Sequence, residues 1–204
     1  MKIDRYGYEF EHDDKYCYPN SNVLINKLDI RDERELLDTE RMLTSLSLAE
    51  LKVNPVEAFF DLDHLKRIHK FVFRDIYDWA GEIRTVNISK GNEFCRYEFI
   101  VPYAEDLFEN LKKDNFLRDY SGDEFIKKLS YYFSEINVLH PFREGNGRVQ
   151  RAFTQQLVNK WGYNIDFSDV SKDEMIEASD DAFNLNYSKL EKMFSRILSS
   201  FHSE

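Results

Sequence analysis

Apolar residues recur at three- and four-residue steps along most of the chain, and that period defines its elements. From Leu62 the set Leu62, Leu65, Ile68, Val72, Phe73 and Ile76 marks one face of a helix that stops before Gly81. Phe125, Ile126, Leu129, Tyr132, Phe133, Ile136 and Leu139 mark another, over Asp123 to Leu139. The pattern breaks at His140-Pro141 and resumes at Val149, Ala152, Phe153, Gln156 and Leu157. Arg31 to Lys52 contains no Gly or Pro, and Leu36, Leu37, Met42, Leu43, Leu46 and Leu48 form a less regular helical stripe there. Further helices are expected at about Tyr103 to Leu117, Ser171 to Phe183 and Asn186 to Phe201. The period changes once. IRTVNISKGNEFCRYEFI, residues 83–100, alternates partly, is rich in β-branched and aromatic residues, and centres on the turn-forming Lys90-Gly91-Asn92. The fold class is mostly α with one small β-hairpin.

Composition narrows the picture. The chain has 204 residues and only seven glycines and four prolines, which excludes Gly-rich linkers and many-turned β folds. A chain of this size buries about 70% of its unfolded surface. The simplest organisation is a single domain over residues 1–204, with a helical N-terminal part (1–60) and a core holding hairpin and motif (61–204). Cys17 and Cys95 fit neither a zinc spacing nor a disulfide framework, which points to a reducing compartment. The start, MKIDRYGYEF, has no apolar core for a signal peptide, and no run is long enough to span a membrane. A cytoplasmic protein without membrane contact is expected. The net charge of −10 repels phosphate backbones, so no direct nucleic-acid partner is expected and any phosphate site must be local.

The local chemistry lies in residues 140–151, His-Pro-Phe-Arg-Glu-Gly-Asn-Gly-Arg-Val-Gln-Arg, a loop feeding a helix start. Helix starts carry unpaired N–H groups and partial positive charge, so cations in the first turn are unfavourable. Arg148 and Arg151 sit there nonetheless, three residues apart on one face. An anion between them removes the conflict. Gly145 and Gly147 allow close backbone approach, and with Asn146 they make an anion nest. On this reading Arg148→Ala leaves the ligand-free protein equally or more stable. Glu144 conflicts with an anion site unless a cation joins it, and Mg²⁺ characteristically takes one or two carboxylates plus phosphate oxygens. His140, neutral for the most part at pH 7, is able to take a proton from a hydroxyl. Phe142 is expected to point inward and anchor the loop. The ordinary alternatives are a glycine-containing turn with surface arginines, an acidic helix cap and a structural histidine.

This segment resembles the Fic family, whose signature is HxFx(D/E)GNGRxxR, and every specified position is filled. At average residue frequencies such a match arises by chance on the order of once in 10¹⁰ windows. DIYDWAGEIRTV, the hairpin and the opening KYCYP also resemble the short bacterial toxin-like branch, so the likeness covers nearly the whole chain. It implies a Fic-like helical core that transfers AMP from ATP to a hydroxyl of a target protein and releases pyrophosphate. Carried over residue by residue, His140 is the general base and Glu144 binds Mg²⁺. Gly145, Asn146, Gly147 and Arg148 hold the α- and β-phosphates, and Arg151 reaches the γ-phosphate. The hairpin residues Ile88, Ser89, Lys90, Gly91, Asn92, Glu93 and Phe94 correspond to the flap that docks the target segment. The sequence GNGR, where the phosphorylating Doc branch resembles ANKR, favours nucleotidyl transfer. The alternatives are a noncatalytic nucleotide-sensing module, for which His140 is superfluous, and transfer of another phosphate-containing group.

The resemblance also bears on control. In the family a glutamate from an inhibitory helix, in a pattern like (S/T)xxxE, pairs with the second motif arginine, here Arg151. The chain has two SxxxE matches, Ser89 to Glu93 in the expected hairpin and Ser200 to Glu204 at the last residue. Neither suits an inhibitory helix. A toxin–antitoxin pair is therefore expected, with a small helical antitoxin supplying the glutamate in trans.

Overall fold

A computed structural model of the chain describes residues 15–200 and, before them, the backbone of Lys2–Ile3 and Glu9–Phe10. Two short strands, β1 (Lys2–Ile3) and β2 (Glu9–Phe10), precede helix α1 (Glu33–Val53). Asp32 caps α1 by accepting from the Glu35 N–H at 2.8 Å, and Glu33 and Glu35 suit the positive end of the helix. Asp61 caps α2 (Leu62–Phe73) in the same way, through the His64 N–H at 2.7 Å. The hairpin follows as β3 (Ile88–Lys90) and β4 (Asn92–Glu93), then α3 (Ile100–Lys113), α4 (Gly122–Leu139) and α5 (Asn146–Asn159). Strand β5 (Tyr163–Ile165), α6 (Lys172–Phe183), α7 (Ser188–Ile197) and β6 (Leu198–Ser200) complete the described chain.

The strongly periodic segments fold as their pattern requires. Leu65, Ile68, Val72, Phe73 and Ile76 are buried, as are all seven apolar residues of the α4 stripe. One continuous apolar core, formed where α2 packs on α1 and α5 and where α4 packs on α3, α5 and α7, runs from Tyr16 to Ile197.

Helix α1 departs from its apolar stripe. Its buried residues are Leu36, Glu40, Thr44, Ser47 and Leu51, whereas Met42 is 58% exposed and Leu46 65%. The inward face thus carries a carboxylate and two hydroxyls, which the apolar period does not mark. Within 1–60 α1 is the only helix among the described residues.

The β structure differs in extent. Only residues 88–90 and 92–93 pair within the hairpin, with Ser89 opposite Glu93. The reason lies in Arg84, buried at its base. Its guanidinium donates to the carbonyls of Val86 (2.7 Å) and Cys95, and the Cys95 N–H bonds the Val138 carbonyl at 2.9 Å. Backbone groups that would extend the ladder are committed to α4 and to this side chain. The hairpin is joined on its other edge by β2, with Phe10 opposite Ile88, and by β1 beyond it. The last expected helix ends at Ile197, because Leu198–Ser200 pairs antiparallel with Tyr163–Ile165. Residues 103–117 form two pieces: α3 begins at Ile100, and a short 3₁₀ turn spans Asn115–Leu117. Cys17 and Cys95 are free thiols. No described helix is long and apolar enough to cross a membrane.

Candidate active site

The site is built where α4 ends and α5 begins. The residue before a proline is disfavoured in helical conformation, and His140 precedes Pro141. Its backbone turns left-handed (φ 40°, ψ 59°) while its N–H still bonds the Ile136 carbonyl at 3.2 Å. Such a conformation in a non-glycine residue persists only where the surroundings hold it. Arg84 does so: its Nε donates to the His140 carbonyl at 2.9 Å, and its own N–H bonds the Pro141 carbonyl at 2.9 Å. The His140 Nδ1 lies 3.0 Å from the Asn137 carbonyl. A carbonyl brings no proton, so Nδ1 carries the hydrogen and Nε2 keeps its lone pair. Phe94, just after the hairpin, stacks on the imidazole at 3.7 Å between centroids.

Across the loop, Gly145 also turns left-handed (φ +84°), and a Cβ there would overlap the Phe73 ring. Phe142 is buried as expected. It stacks on His69, whose Nε2 donates to the Glu144 carbonyl at 3.0 Å while its Nδ1 accepts from the Gly81 N–H at 2.8 Å. Asn146 is committed within the loop: its Oδ1 accepts from the Phe142 N–H at 2.9 Å and its Nδ2 donates to the Phe142 carbonyl at 2.7 Å. Its side chain therefore braces the loop, with one of its two Nδ2 hydrogens spent there, and its backbone N–H stands in the first turn of α5.

The arginines divide. The Arg148 Nη2 donates to Glu40 Oε1 at 2.6 Å and to Glu144 Oε1 at 3.1 Å, and its Nη1 donates to Thr44 Oγ1 at 3.1 Å. The anion that its place in the helix demands comes from within the chain. Among the described residues no carboxylate pairs with Arg151. Burial and then the charge of Arg148 hold the Arg151 pKa below the usual arginine range, whereas Glu40 and Glu144 outweigh burial and raise that of Arg148. An incoming anion meets Arg151 as the cation still to be neutralised.

A cavity of about 280 Å³ joins these parts. His140, Glu144, Gly145, Gly147, Arg148 and Arg151 line it from the motif, and Lys90, Asn92 and Phe94 from the hairpin segment. Ile88 and Phe94 are buried against Val86, so the hairpin segment packs its own apolar residues inward, while Lys90, Gly91 and Glu93 are exposed and Ser89 and Asn92 half-buried. Met175, Ile176, Ser179, Asp180 and Phe183 of α6 close the far wall, and no motif marks them in the sequence. Their only signal was the spacing of an amphipathic helix. Among the described residues no three His, Cys, Asp or Glu side chains cluster as a metal site. A divalent ion would thus be held by Glu144 together with phosphate oxygens, the donor set Mg²⁺ accepts.

Burial holds the His140 pKa down to about 3, with the Asn137 carbonyl opposing it, and holds those of His69 and His64 to about 3 and about 4. All three imidazoles are neutral at pH 7. Because the unfolded chain takes up these protons near pH 6.5 and the folded protein does not, stability falls as pH falls. Between pH 6.5 and 5.5 each imidazole is expected to remove about 1 kcal/mol, to be read from urea unfolding at the two pH values. Stability unchanged over that interval would show that they are not held neutral.

Fold and site define a class: a mostly helical protein in which a neutral imidazole faces an arginine-bearing, glycine-led helix start. The Fic/DOC family model matches residues 59–158. The protein adenylyltransferase VbhT of Bartonella schoenbuchensis is 39% identical over 189 residues, 92% of this chain, and the chain spans 40% of VbhT's length. An Escherichia coli K12 relative named probable protein adenylyltransferase Fic is 32% identical over 197 residues, 96% of both proteins. The chain belongs to the Fic/DOC family. Among solved structures, the N-terminal Fic domain of a VirB-translocated Bep effector of Bartonella quintana with bound ADP superposes with TM-score 0.87 at 29% identity, covering 93% of this chain and 97% of that one. BepC of Bartonella tribocorum with bound AMPPNP gives 0.84 at 26% identity, covering 91% and 96%.

Proposed function

We propose that the chain is a protein adenylyltransferase that moves AMP from ATP to a Ser, Thr or Tyr hydroxyl of a target protein. The observation that carries this reading is the His140 imidazole, whose Nδ1–H is fixed by the Asn137 carbonyl so that Nε2 is the acceptor nitrogen, on the wall of the cavity at the α5 start. Nε2 takes the hydroxyl proton as the oxygen forms its bond to the α-phosphorus, and the bond from that phosphorus to the β-phosphate oxygen breaks. Pyrophosphate leaves, and the proton passes from His140 to solvent. Charge shifting toward pyrophosphate is met by the α5 N–H groups, Arg148 and Arg151. Glu144 would hold Mg²⁺, which supplies further charge neutralisation at the phosphates. The flap, with Lys90 and Asn92 at the cavity, would align the target segment by main-chain hydrogen bonds. The names of the relatives and the nucleotides in the Fic neighbours support the reading. Incubation with Mg²⁺ and ATP labelled at the α-phosphate is expected to label protein, the chain itself included, and label at the γ-phosphate is not. Transfer of γ label alone would make the enzyme a phosphotransferase, and no transfer at all with tight nucleotide binding would make it a sensing module.

The same reading extends to control: this chain is the toxin of a pair, held off by a helical antitoxin. A groove of about 1050 Å³ runs beside the site between α1, residues 55–60, α5 and residues 164–168, and Arg151 lines it as well as the smaller cavity. Leu48, Val56 and Phe60 give it an apolar floor, and Lys52, Lys160, Arg148 and Arg151 outnumber the acidic Glu57 and Asp166 along it. A helix carrying a glutamate suits that lining and would bring a carboxylate to Arg151 in place of a phosphate oxygen. Of the two internal matches, Ser89 and Glu93 are strand residues and Ser200 is in β6, while Glu204 lies outside the described residues. Expressed alone, the chain is expected to arrest growth, and the His140→Ala variant is not. Purified chain that gains activity only when its last residues are removed would place the inhibitor within it.

A further inference from the structure

Glu40 stands 108 residues from Arg148 in the chain and is fully buried against it. Its Oε1 accepts from Arg148, and its Oε2 accepts from the Tyr77 hydroxyl. Tyr77 is itself stacked on Trp79, at 4.2 Å between centroids. One turn further along α1, Thr44 donates to the Glu40 carbonyl at 2.7 Å and accepts from the other terminal nitrogen of Arg148. The guanidinium carbon lies 4.8 Å from the centre of the Phe73 ring, the same ring that excludes a side chain at Gly145. Both terminal nitrogens of the planar group are thus held by α1 and one face by Phe73 of α2, while Tyr77, just after α2, holds Glu40.

The second carboxylate is of another kind. Glu144 lines the small cavity with His140; Glu40 and Tyr77 do not. The two carboxylates are therefore not equivalent anchors of the guanidinium: Glu144 faces the cavity and Glu40 is enclosed. Glu144 would be drawn to a divalent ion bound with phosphate in the cavity, and a guanidinium anchored by Glu144 alone would then follow that carboxylate or swing free. Glu40 is fully buried and does not line the cavity.

We propose that Glu40, braced by Tyr77, is a positioning residue that keeps the Arg148 guanidinium at the α5 start when Glu144 turns to the metal. This rests on the nucleotide-transfer reading for its consequence and on the triad geometry for its substance. Glu40 touches no substrate; it acts through Arg148.

The test compares Glu40→Gln with Glu144→Gln, both close in shape to the native side chain. Without nucleotide, the Arg148 Nε–H signal in nitrogen-resolved NMR is expected to stay sharp and slowly exchanging in Glu144→Gln, and to broaden or vanish in Glu40→Gln. The opposite order, or equal loss in both, overturns the proposal. With Mg²⁺ and ATP, Glu40→Gln is expected to lower kcat for AMP transfer about tenfold or more, with a smaller change in the KM for ATP. In an Arg148→Met background, which keeps the stem of the side chain, the same substitution is expected to cost nothing further. A loss that persists there shows that Glu40 does not act through Arg148. A folded Glu40→Gln with unchanged kcat reduces Glu40 to a structural partner and also overturns the proposal. Should the native chain transfer no AMP, the NMR comparison still decides the anchor, and the transfer reading fails by itself.

Discussion

Replacing Arg148 by alanine is expected to lower the melting temperature of the nucleotide-free protein by about 6–20 °C. The guanidinium is partly buried, its side chain 19% exposed, and it is paired to the fully buried Glu40. Removing one partner of such a pair costs about 3–5 kcal/mol, because the other charge is left in a medium that cannot solvate it. For a chain of this length each kcal/mol shifts the midpoint by about 2–4 °C. The position of Arg148 in the first turn of a helix predicts the opposite sign, since a cation there is unfavourable. That effect is a few tenths of a kcal/mol on an exposed helix and is outweighed by the triad. Arg148→Ala with Glu40→Gln is expected to recover part of the loss, as both charges are then gone. Thermal melting of the three proteins without nucleotide decides it. An Arg148→Ala variant melting within a degree or two of the native chain would show that the ion pair contributes little.

The second large effect falls on rate. His140→Ala is expected to reduce AMP transfer by about 10²–10⁴-fold while nucleotide affinity stays nearly unchanged, because the variant loses the proton acceptor and none of the phosphate contacts. His140→Asn is the companion variant, since asparagine tolerates the left-handed backbone that residue 140 adopts. Both are to be compared by initial rate of α-label transfer and by calorimetric binding of ATP. Asparagine cannot act as the base, so equal losses in the two separate the missing imidazole from any backbone effect. Transfer retained above about a tenth of the native rate would remove His140 from the role of base.

The motif was legible because it is contiguous. His140, Phe142, Glu144, Gly145, Gly147 and Arg151 fall within twelve consecutive positions, and a loop between two periodic helices brings such neighbours together by chain connectivity alone. The helices α2, α4 and α5 were legible for a related reason: each buries a stripe against the core, and a stripe is a property of spacing. The hairpin was readable in its turn, Lys90-Gly91-Asn92, but its length was not, because the ends of the ladder are decided by Arg84 and Val138.

What only the tertiary structure decided is which partners the polar groups find. The buried residues of α1 between Leu36 and Leu51 are Glu40, Thr44 and Ser47, which a hydrophobic pattern reads as an outward face, while Leu43 and Leu48 are half-buried against the core and Met42 and Leu46 point to solvent. A buried carboxylate is tolerable only when paired, and its partner here is 108 residues away, so no local rule marks it. The same holds for Arg84 beneath His140, for His69 behind Phe142 and for the wall supplied by α6. By itself the sequence determined the helical class, the loop and the chemical character of its residues, because spacing and residue type act over one or two turns. Packing decided that Arg148 is already neutralised and Arg151 is not, because electrostatic partnership depends on distance in space, which α1 and α2 set when they close on the start of α5.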